Sequence, residues 1–265
     1  MVAAWSRYIT IAILAGSRAW AILSTGSGRR AKRPWSEWSR PVLLGVMAHA
    51  KTTTPGIEKL DLRKRHKDLY SPSARSVQLV DVPEFLILAV DGRVETGVNP
   101  GESAGFAEAF RAIYGVAYGL KFMSKLNTVA PIDYKIMALE GLWSSESGEF
   151  SFDKPEPWLY TMLMVQPDHI TQPMFDEAVA QAGRKHPNPV LDQLRLERWR
   201  EGPSIQIMHI GPYSEEPRTI ELMNAYAMEN GLKLHGRHHE IYLGDPRMAK
   251  PENLKTILRH PVSQV

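Results

Sequence analysis

The chain of 265 residues contains no cysteine, so disulfides, thiolate nucleophiles and cysteine-based zinc sites are excluded. It also lacks a glycine-rich phosphate loop and a dinucleotide-binding fingerprint. Nucleotide chemistry is therefore not supported by the sequence. The absence of cysteine fits a reducing compartment, and we expect a cytoplasmic protein that works without a cofactor.

Long hydrophobic runs are also missing. The apolar run of residues 9–16 is followed by Arg18 and falls short of the ~20 apolar residues that a spanning helix needs. We therefore expect no membrane association. Residues 1–50 have no steady periodicity, and we predict an N-terminal extension that is disordered or not part of the mature protein, with Met47 as an alternative start.

Acidic residues are scarce in the first quarter of the chain. Residues 1–67 hold 13 of the 32 basic residues and 3 of the 29 acidic ones, so the remainder has a net charge of −7. The basic isoelectric point thus belongs to the N-terminal arm, and nucleic-acid binding by the main domain is not supported. Residues 51–80 are predicted to be a basic arm and a tie-down segment ahead of a domain at 81–262.

The order strand–helix–strand–strand occurs twice in that domain. The first copy is predicted at residues 82–92, 99–126, 133–143 and 158–166, and the second at 205–210, 215–231, 238–243 and 256–259. A further helix (171–185) and strand (194–199) connect the copies. The sequence therefore predicts an α+β fold of two pseudo-symmetric modules, which form one antiparallel sheet with helices on one face and a ligand groove on the other.

The strand at residues 238–243 carries the main candidate site. Because side chains alternate across a strand, His238, Glu240 and Tyr242 share one face. A carboxylate between an imidazole and a phenol is costly to bury unless it is a satisfied structural acid, a counter-charge for a cation or a general base. We predict Glu240 and Tyr242 as catalytic residues and His238 as a ligand-binding residue.

Other candidates surround this strand. An aromatic and methionine face on residues 158–164 is typical of core packing, or of a pocket for flat apolar ligands. His209, Tyr213 and Glu140 lie on or beside predicted strands, and Glu140 occupies a place in the first copy comparable to Glu240. The predicted ligand-binding set, besides His238, is Trp143, Glu140, Trp158, Tyr160, Met162, Met164, His209, Tyr213 and Tyr114.

Metal binding is not predicted. His235, His238, His239 and Glu240 do not form the helical His-Glu-x-x-His pattern, and the adjacent His238 and His239 point to opposite faces of a strand.

Several motifs, in order, resemble the GyrI-like small-molecule-binding family, the effector-binding domain of bacterial multidrug-sensing regulators. They cover roughly residues 60–262 and comprise 68–72 (DLYSP), 139–143 (LEGLW), 166–168 (QPD), 206–213 (QIMHIGPY), 215–217 (EEP) and 238–243 (HHEIYL). The first 50 residues have no counterpart in the family, and no helix-turn-helix is recognisable, so the chain resembles a stand-alone form.

The resemblance implies a buried glutamate with aromatic walls that holds lipophilic cations, and Glu240 is the matching position. Some stand-alone members hydrolyse cyclopropane-bearing genotoxins, which would involve Glu240 and Tyr242 beside Trp143. Relatives often have two consecutive tryptophans where this chain has Trp143-Ser144. Three functions therefore stay open: a binder of lipophilic drugs or toxins, a hydrolase of such toxins, and an inhibitor of a protein partner such as a topoisomerase.

Overall fold

The fold is taken from a computed structural model, which describes residues 57–148, 156–244 and 249–265. The prediction for residues 1–50 lies outside the described residues. The described chain begins with strand β1 (Glu58–Leu60) and two short helices, α1 (Leu62–Arg65) and α2 (Lys67–Tyr70). Leu69 and Tyr70 at the end of α2 are buried.

The first module follows this segment. It consists of strand β2 (Gln78–Val94), helix α3 (Ala104–Lys125), strand β4 (Leu139–Ser145) and strand β5 (Trp158–Gln166), with the short strand β3 (Ile132–Tyr134) before β4. Helix α3 begins where expected, because Ser103 Oγ accepts a hydrogen bond of 3.3 Å from the Phe106 N–H. Strand β3 pairs with β1 in a separate two-stranded sheet.

The second module repeats the order. It consists of strand β6 (Arg195–Ile210), helix α5 (Glu216–Glu229), strand β8 (His238–Tyr242) and strand β9 (Lys255–Gln264), with strand β7 (Leu232–Leu234) added at the end of β9. Helix α4 (Gln172–Lys185) connects the modules and packs on α3, where Gly119 lies against Ala178. The two strands predicted at 194–199 and 205–210 are one continuous strand.

The six long strands form a ring. Neighbouring strands are antiparallel in the order β2-β5-β4-β8-β9-β6, and β6 also pairs with β2. The order within each module is therefore mirrored about the β4–β8 pairing, which we call the central seam. The predicted fold class and the predicted duplication are confirmed, and closure of the ring is a feature that the sequence did not reveal.

Both module helices lie on the outer face of the ring. Helix α3 packs mainly on β2 and β5, and helix α5 packs on β6 and β9. The central seam lies between them. The opposite face, on which the sequence placed the ligand groove, is contacted by α2, since Tyr70 Oη donates to Glu140 and the Leu69 carbonyl accepts from Arg259. No helix in the described ranges is long and apolar enough to span a bilayer.

Candidate small-molecule site

The two faces of the central seam carry different side chains, because the register of β4 with β8 places alternate residues of each strand on opposite faces. Gly141 lies opposite Glu240, and Trp143 lies opposite His238, so these residues share the outer face. Glu140 lies opposite Ile241 and faces the ring interior with His239.

Aromatic rings form the walls of the outer face. Trp143 stacks on Phe106 of α3 with ring centroids 5.9 Å apart, and it meets Tyr160 at 5.7 Å and Trp158 at 6.2 Å. Trp143 and Tyr160 are buried, whereas Trp158 is half-buried. Burial raises the pKa of Tyr160 to about 12, so this phenol is neutral at physiological pH.

A hydrogen bond fixes the polar end of this wall. Trp143 Nε1 donates to Tyr242 Oη over 3.0 Å, and since the indole can only donate, the Tyr242 hydroxyl proton is directed elsewhere. Burial and the negative charge of Glu240 raise the pKa of Tyr242 well above its usual value. Tyr242 therefore stays a neutral donor. Tyr213 packs edge-on against it, with centroids 6.1 Å apart.

Gly141 makes room for that hydrogen bond. A Cβ at this position would lie 2.7 Å from Trp143 Nε1 and 3.0 Å from Tyr242 Oη, closer than real Cβ atoms come to a side chain. Gly92 does the same for Tyr160, because a Cβ there would lie 2.2 Å from the phenol oxygen. The two glycines thus allow aromatic rings to lie flat on the strands.

The acidic part of the outer face contains two glutamates. Glu240 is 7% exposed, and His238 Nε2 lies 3.5 Å from its Oε1. Glu216, the first residue of α5, is 1% exposed. Burial and the charge of Glu240 raise the pKa of Glu216 well above its usual value. We call the outer-face group the seam site; its members are Trp143, Tyr213, Glu216, His238, Glu240, Tyr242 and Thr256.

The ring interior holds a second polar group, the inner cluster, whose members are Tyr70, Glu140, Glu201, Gln206, His239 and Arg259. His239 lies between two carboxylates, with Nε2 3.0 Å from Glu140 Oε2 and Nδ1 3.0 Å from Glu201 Oε1. Both nitrogens must donate, so His239 carries a positive charge. Burial alone would lower the pKa of His239, but the charge of Glu201 and the two hydrogen bonds raise it above its usual value.

Arg259 supplies the second positive charge of the inner cluster. Its guanidinium donates to Gln206 Oε1 (2.9 Å) and Leu69 O (2.9 Å), and it lies 3.3 Å from Glu201 Oε2. Burial would raise the pKa of Glu201, yet the charges of His239 and Arg259 lower it. Tyr70 Oη donates to Glu140 Oε1 over 2.9 Å. Two anions therefore face two cations, which makes this cluster structural.

The structure thus brings most, but not all, of the predicted site residues together. Five of them belong to the seam site, namely Trp143, Tyr213, His238, Glu240 and Tyr242, and the rings of Trp158 and Tyr160 pack against Trp143. Glu140 does not, since alternation along β4 turns it into the inner cluster. Met162 and Met164 share the outer face but are fully buried in the core, and the Tyr114 ring packs on Phe110 and Tyr118 along α3.

His209 also lies outside the seam site. It lines a cavity of about 250 Å³ between α5 and β6, together with Met208, Thr219 and Leu222. Its Nδ1 lies 2.9 Å from Thr219 Oγ1, and its Nε2 lies 3.2 Å from Pro212 O, so both ring nitrogens are used in packing α5 onto β6. Across the part of the chain that the structure describes, no group of three or more potential ligands could hold a metal ion.

Glu216, Thr256 and Gly141 were not predicted. For Glu216 a signal existed: residues 216, 223 and 227 lie on one helical face, and Met223 and Ala227 are buried. Glu216 therefore continues the apolar stripe of α5 rather than its solvent face. Gly141 could have been found from strand alternation, as it shares a face with Trp143.

The fold is that of an α+β protein of two strand–helix–strand–strand modules, with buried aromatic and acidic side chains on one face of the central seam. Residues 177–263 match the family described as the GyrI-like small molecule binding domain. A solved structure of an uncharacterised conserved protein from Listeria innocua is 37% identical, with a TM-score of 0.69, and the match covers 77% of this chain and all of that one. The chain therefore belongs to the GyrI-like small-molecule-binding family.

A second solved structure, a hydrolase encoded by lin2189 from Listeria innocua, is 35% identical with a TM-score of 0.68. The match covers 78% of this chain and 100% of that chain. A search of curated proteins gave no match.

Proposed function

We propose that this protein binds lipophilic, aromatic small molecules at the seam site and hydrolyses those that carry an activated cyclopropane ring. The observation that carries the proposal is the hydrogen bond from Trp143 to Tyr242 beside the buried Glu240, which leaves a neutral phenol donor next to a carboxylate within aromatic walls. The similarity to a protein described as a hydrolase supports a catalytic role.

The chemistry requires one base and one donor. For a cyclopropane fused to a dienone, a water oxygen forms a bond to the ring methylene while a ring C–C bond breaks. The electron pair of that bond moves into the dienone, whose oxygen becomes a phenolate. Glu240 takes the proton from the attacking water, and the Tyr242 hydroxyl donates a hydrogen bond to the oxygen that gains charge. Protonation of the phenolate completes the addition of water.

Aromatic walls favour the same class of ligand. Rings of Trp143, Trp158 and Tyr213 offer faces on which a flat chromophore stacks, and such contacts contribute about 0.5–1.5 kcal/mol beyond buried area. The half-buried positions of Trp158, Tyr213 and Tyr242 mark the side from which a ligand would enter.

The alternative is sequestration without chemistry, in which Glu240 serves only as a counter-charge for a lipophilic cation. Ligand-induced thermal stabilisation and product analysis separate the two functions, with an activated cyclopropane and a lipophilic cation as probes. Hydrolysis predicts that Glu240→Gln still binds the cyclopropane but converts it roughly 10²–10⁴-fold more slowly. Sequestration predicts an unchanged cyclopropane with the wild type, and cation binding that Glu240→Gln weakens.

A matched control is the exposed neighbour of the acidic pair, Glu215, since Glu215→Gln makes the same chemical change outside the seam site. Equal turnover by the wild type and Glu240→Gln would contradict the proposal. Inhibition of a protein partner is suggested by the family resemblance and permitted by the net charge of −7. It stays a prediction, as do the cytoplasmic location and the absence of a cofactor.

A further inference from the structure

Tyr213, three residues before Glu216, packs edge-on against Tyr242 with ring centroids 6.1 Å apart, which places the start of helix α5 beside β8. Thr256 lies opposite Tyr242 on β9, one diagonal step from Glu240 and on the same face. Both Glu216 and Glu240 act on one another electrostatically, and the Thr256 hydroxyl lies close to Glu216. Three buried polar groups from three elements thus lie on the same side of this part of the sheet.

This group is incompletely satisfied. In the described ranges, Glu216 Oε1 and Thr256 Oγ1 are buried atoms without a hydrogen-bond partner of ordinary geometry, although the hydroxyl is near enough to lower the pKa of the carboxyl slightly. An unpaired buried carboxyl oxygen is energetically costly in a folded protein. Such a cost at an aromatic-walled site points to a role in binding or chemistry.

The surrounding charges do not neutralise the pair. No lysine or arginine of the described ranges forms an ion pair with Glu216 or Glu240. The titratable groups that face the pair are His238 and Tyr242 on β8 and Tyr213 before α5, while His209 on β6 is bonded to Thr219. The amino end of α5 favours a carboxylate, yet burial is the largest cause acting on Glu216 and raises its pKa well above the usual value.

We propose that Glu216 is the second acid of the seam site, which shares one proton with Glu240 and donates it to the oxygen of the opening substrate. This step rests on the proposed function and completes it: Glu240 takes a proton from water, and Glu216 gives a proton to the phenolate oxygen. A proton then passes from Glu240 to Glu216 and restores the starting state. Two neighbouring carboxyls that cannot both ionise are suited to this division of roles.

The pair has a physical signature that does not depend on turnover. A protonated carboxylic acid has an infrared carbonyl band separate from that of a carboxylate, and the substrate-free wild type should show such a band at neutral pH. The band should disappear as the pH is raised, should be absent in Glu216→Gln, and should persist in the control Glu215→Gln. A wild type without the band, or a band unaffected by Glu216→Gln, would overturn the shared proton.

Turnover tests the donation itself. The wild-type rate should fall at high pH, where Glu216 loses its proton. Glu216→Gln should lower kcat roughly 10²-fold and remove this high-pH limb of the rate profile. Unchanged kcat, or an unchanged high-pH limb, would overturn the donor role. A wild type that binds the cyclopropane without converting it would refute the proposed function, whereas the infrared band would still decide whether the pair shares a proton.

Discussion

The ring interior and the helix-bearing face each hold a pair of buried glutamates, and the two pairs differ in the charged groups that face them. In the inner cluster, Glu140 and Glu201 face His239 and Arg259, and every charge has an opposite charge within 3.3 Å. At the seam site, Glu216 and Glu240 face each other and aromatic rings. Both pairs are buried, and the two cations of the inner cluster distinguish its structural pair from the pair that we propose to be reactive.

Removal of Arg259, one of the two cations of the inner cluster, should have the largest effect on stability. Arg259→Leu leaves Glu201 with one cation and strips Gln206 and the Leu69 carbonyl of their donor. We expect a loss of about 3–5 kcal/mol in the free energy of unfolding, because a buried charge then lacks compensation. Urea denaturation measures the loss. Arg198→Leu, which removes exposed ion pairs to Glu84 and Asp168, should cost less than about 1 kcal/mol, and equal losses in both variants would refute the distinction.

The same chemical change in the two glutamate pairs should separate stability from turnover. Glu140→Gln weakens the hydrogen bonds to Tyr70 and His239 and should lower the free energy of unfolding by about 1.5–3 kcal/mol, with turnover per folded molecule retained. Glu240→Gln should lower turnover and leave stability nearly unchanged. Thermal unfolding and initial rates on both variants test this; the comparison fails if Glu140→Gln abolishes turnover in a folded protein.

Gly141 lies on the outer face of the seam and should sharpen the comparison further. Gly141→Ala forces Trp143 and Tyr242 apart, which we expect to cost about 1–3 kcal/mol of stability and up to about 10²-fold in kcat. Gly115→Ala is the matched control, since a Cβ there lies 3.9 Å from Ala182, an ordinary contact. If Gly141→Ala retained full turnover, the Trp143–Tyr242 hydrogen bond would have no catalytic importance.

The smallest effect concerns the pH dependence of stability. Because the pKa of Glu216 is raised on folding, its contribution is most favourable below the ordinary glutamate range and is lost as the pH rises towards the folded pKa. Glu216→Gln should therefore stabilise the protein by about 1 kcal/mol at neutral pH, and the gain should shrink in acid. Thermal unfolding from pH 4 to pH 8 measures this difference. A gain that grew in acid would contradict the assigned pKa direction.

In the inner cluster, the contribution of Glu201 to stability should change with pH in the opposite direction. The pKa of Glu201 is lowered on folding, so its stabilising contribution is present above the ordinary glutamate range and is lost as the pH falls. The pKa of His239 is raised, so its contribution is present below about pH 6.5 and is lost as the pH rises through the folded pKa. The two pairs thus give stability curves of different sign in acid.

Local patterns in the sequence predicted the strands and helices well. The predicted strand at residues 158–166 has the observed bounds, and the two helix-containing modules follow from hydrophobic periodicity and from the capping residue Ser103. Pairing between modules was not predictable, because ring closure depends on contacts between residues more than 100 positions apart. The contact of α2 with the inner cluster also joins residues far apart in the chain and could not be derived from local patterns.

The seam site was predictable where strand alternation is unambiguous. Tyr242 and His238 follow Glu240 onto one face by period alone, as observed. Glu140 was assigned by analogy between the copies, although alternation from Trp143 already places it on the other face. Glu216 required knowledge of where the first turn of α5 lies relative to β9, which is a matter of tertiary packing.

Closure of the ring also has a kinetic consequence. Strands β2 and β6 pair from Gln78 with Gln206 to Ala89 with Arg195, a long-range pairing that is entropically costly to form early. While it is open, both strands expose unpaired backbone groups on which a second copy of the chain can add. Refolding at high concentration should therefore favour exchange of whole modules between chains. In the closed ring, each of its six strands pairs with a neighbouring strand on both sides.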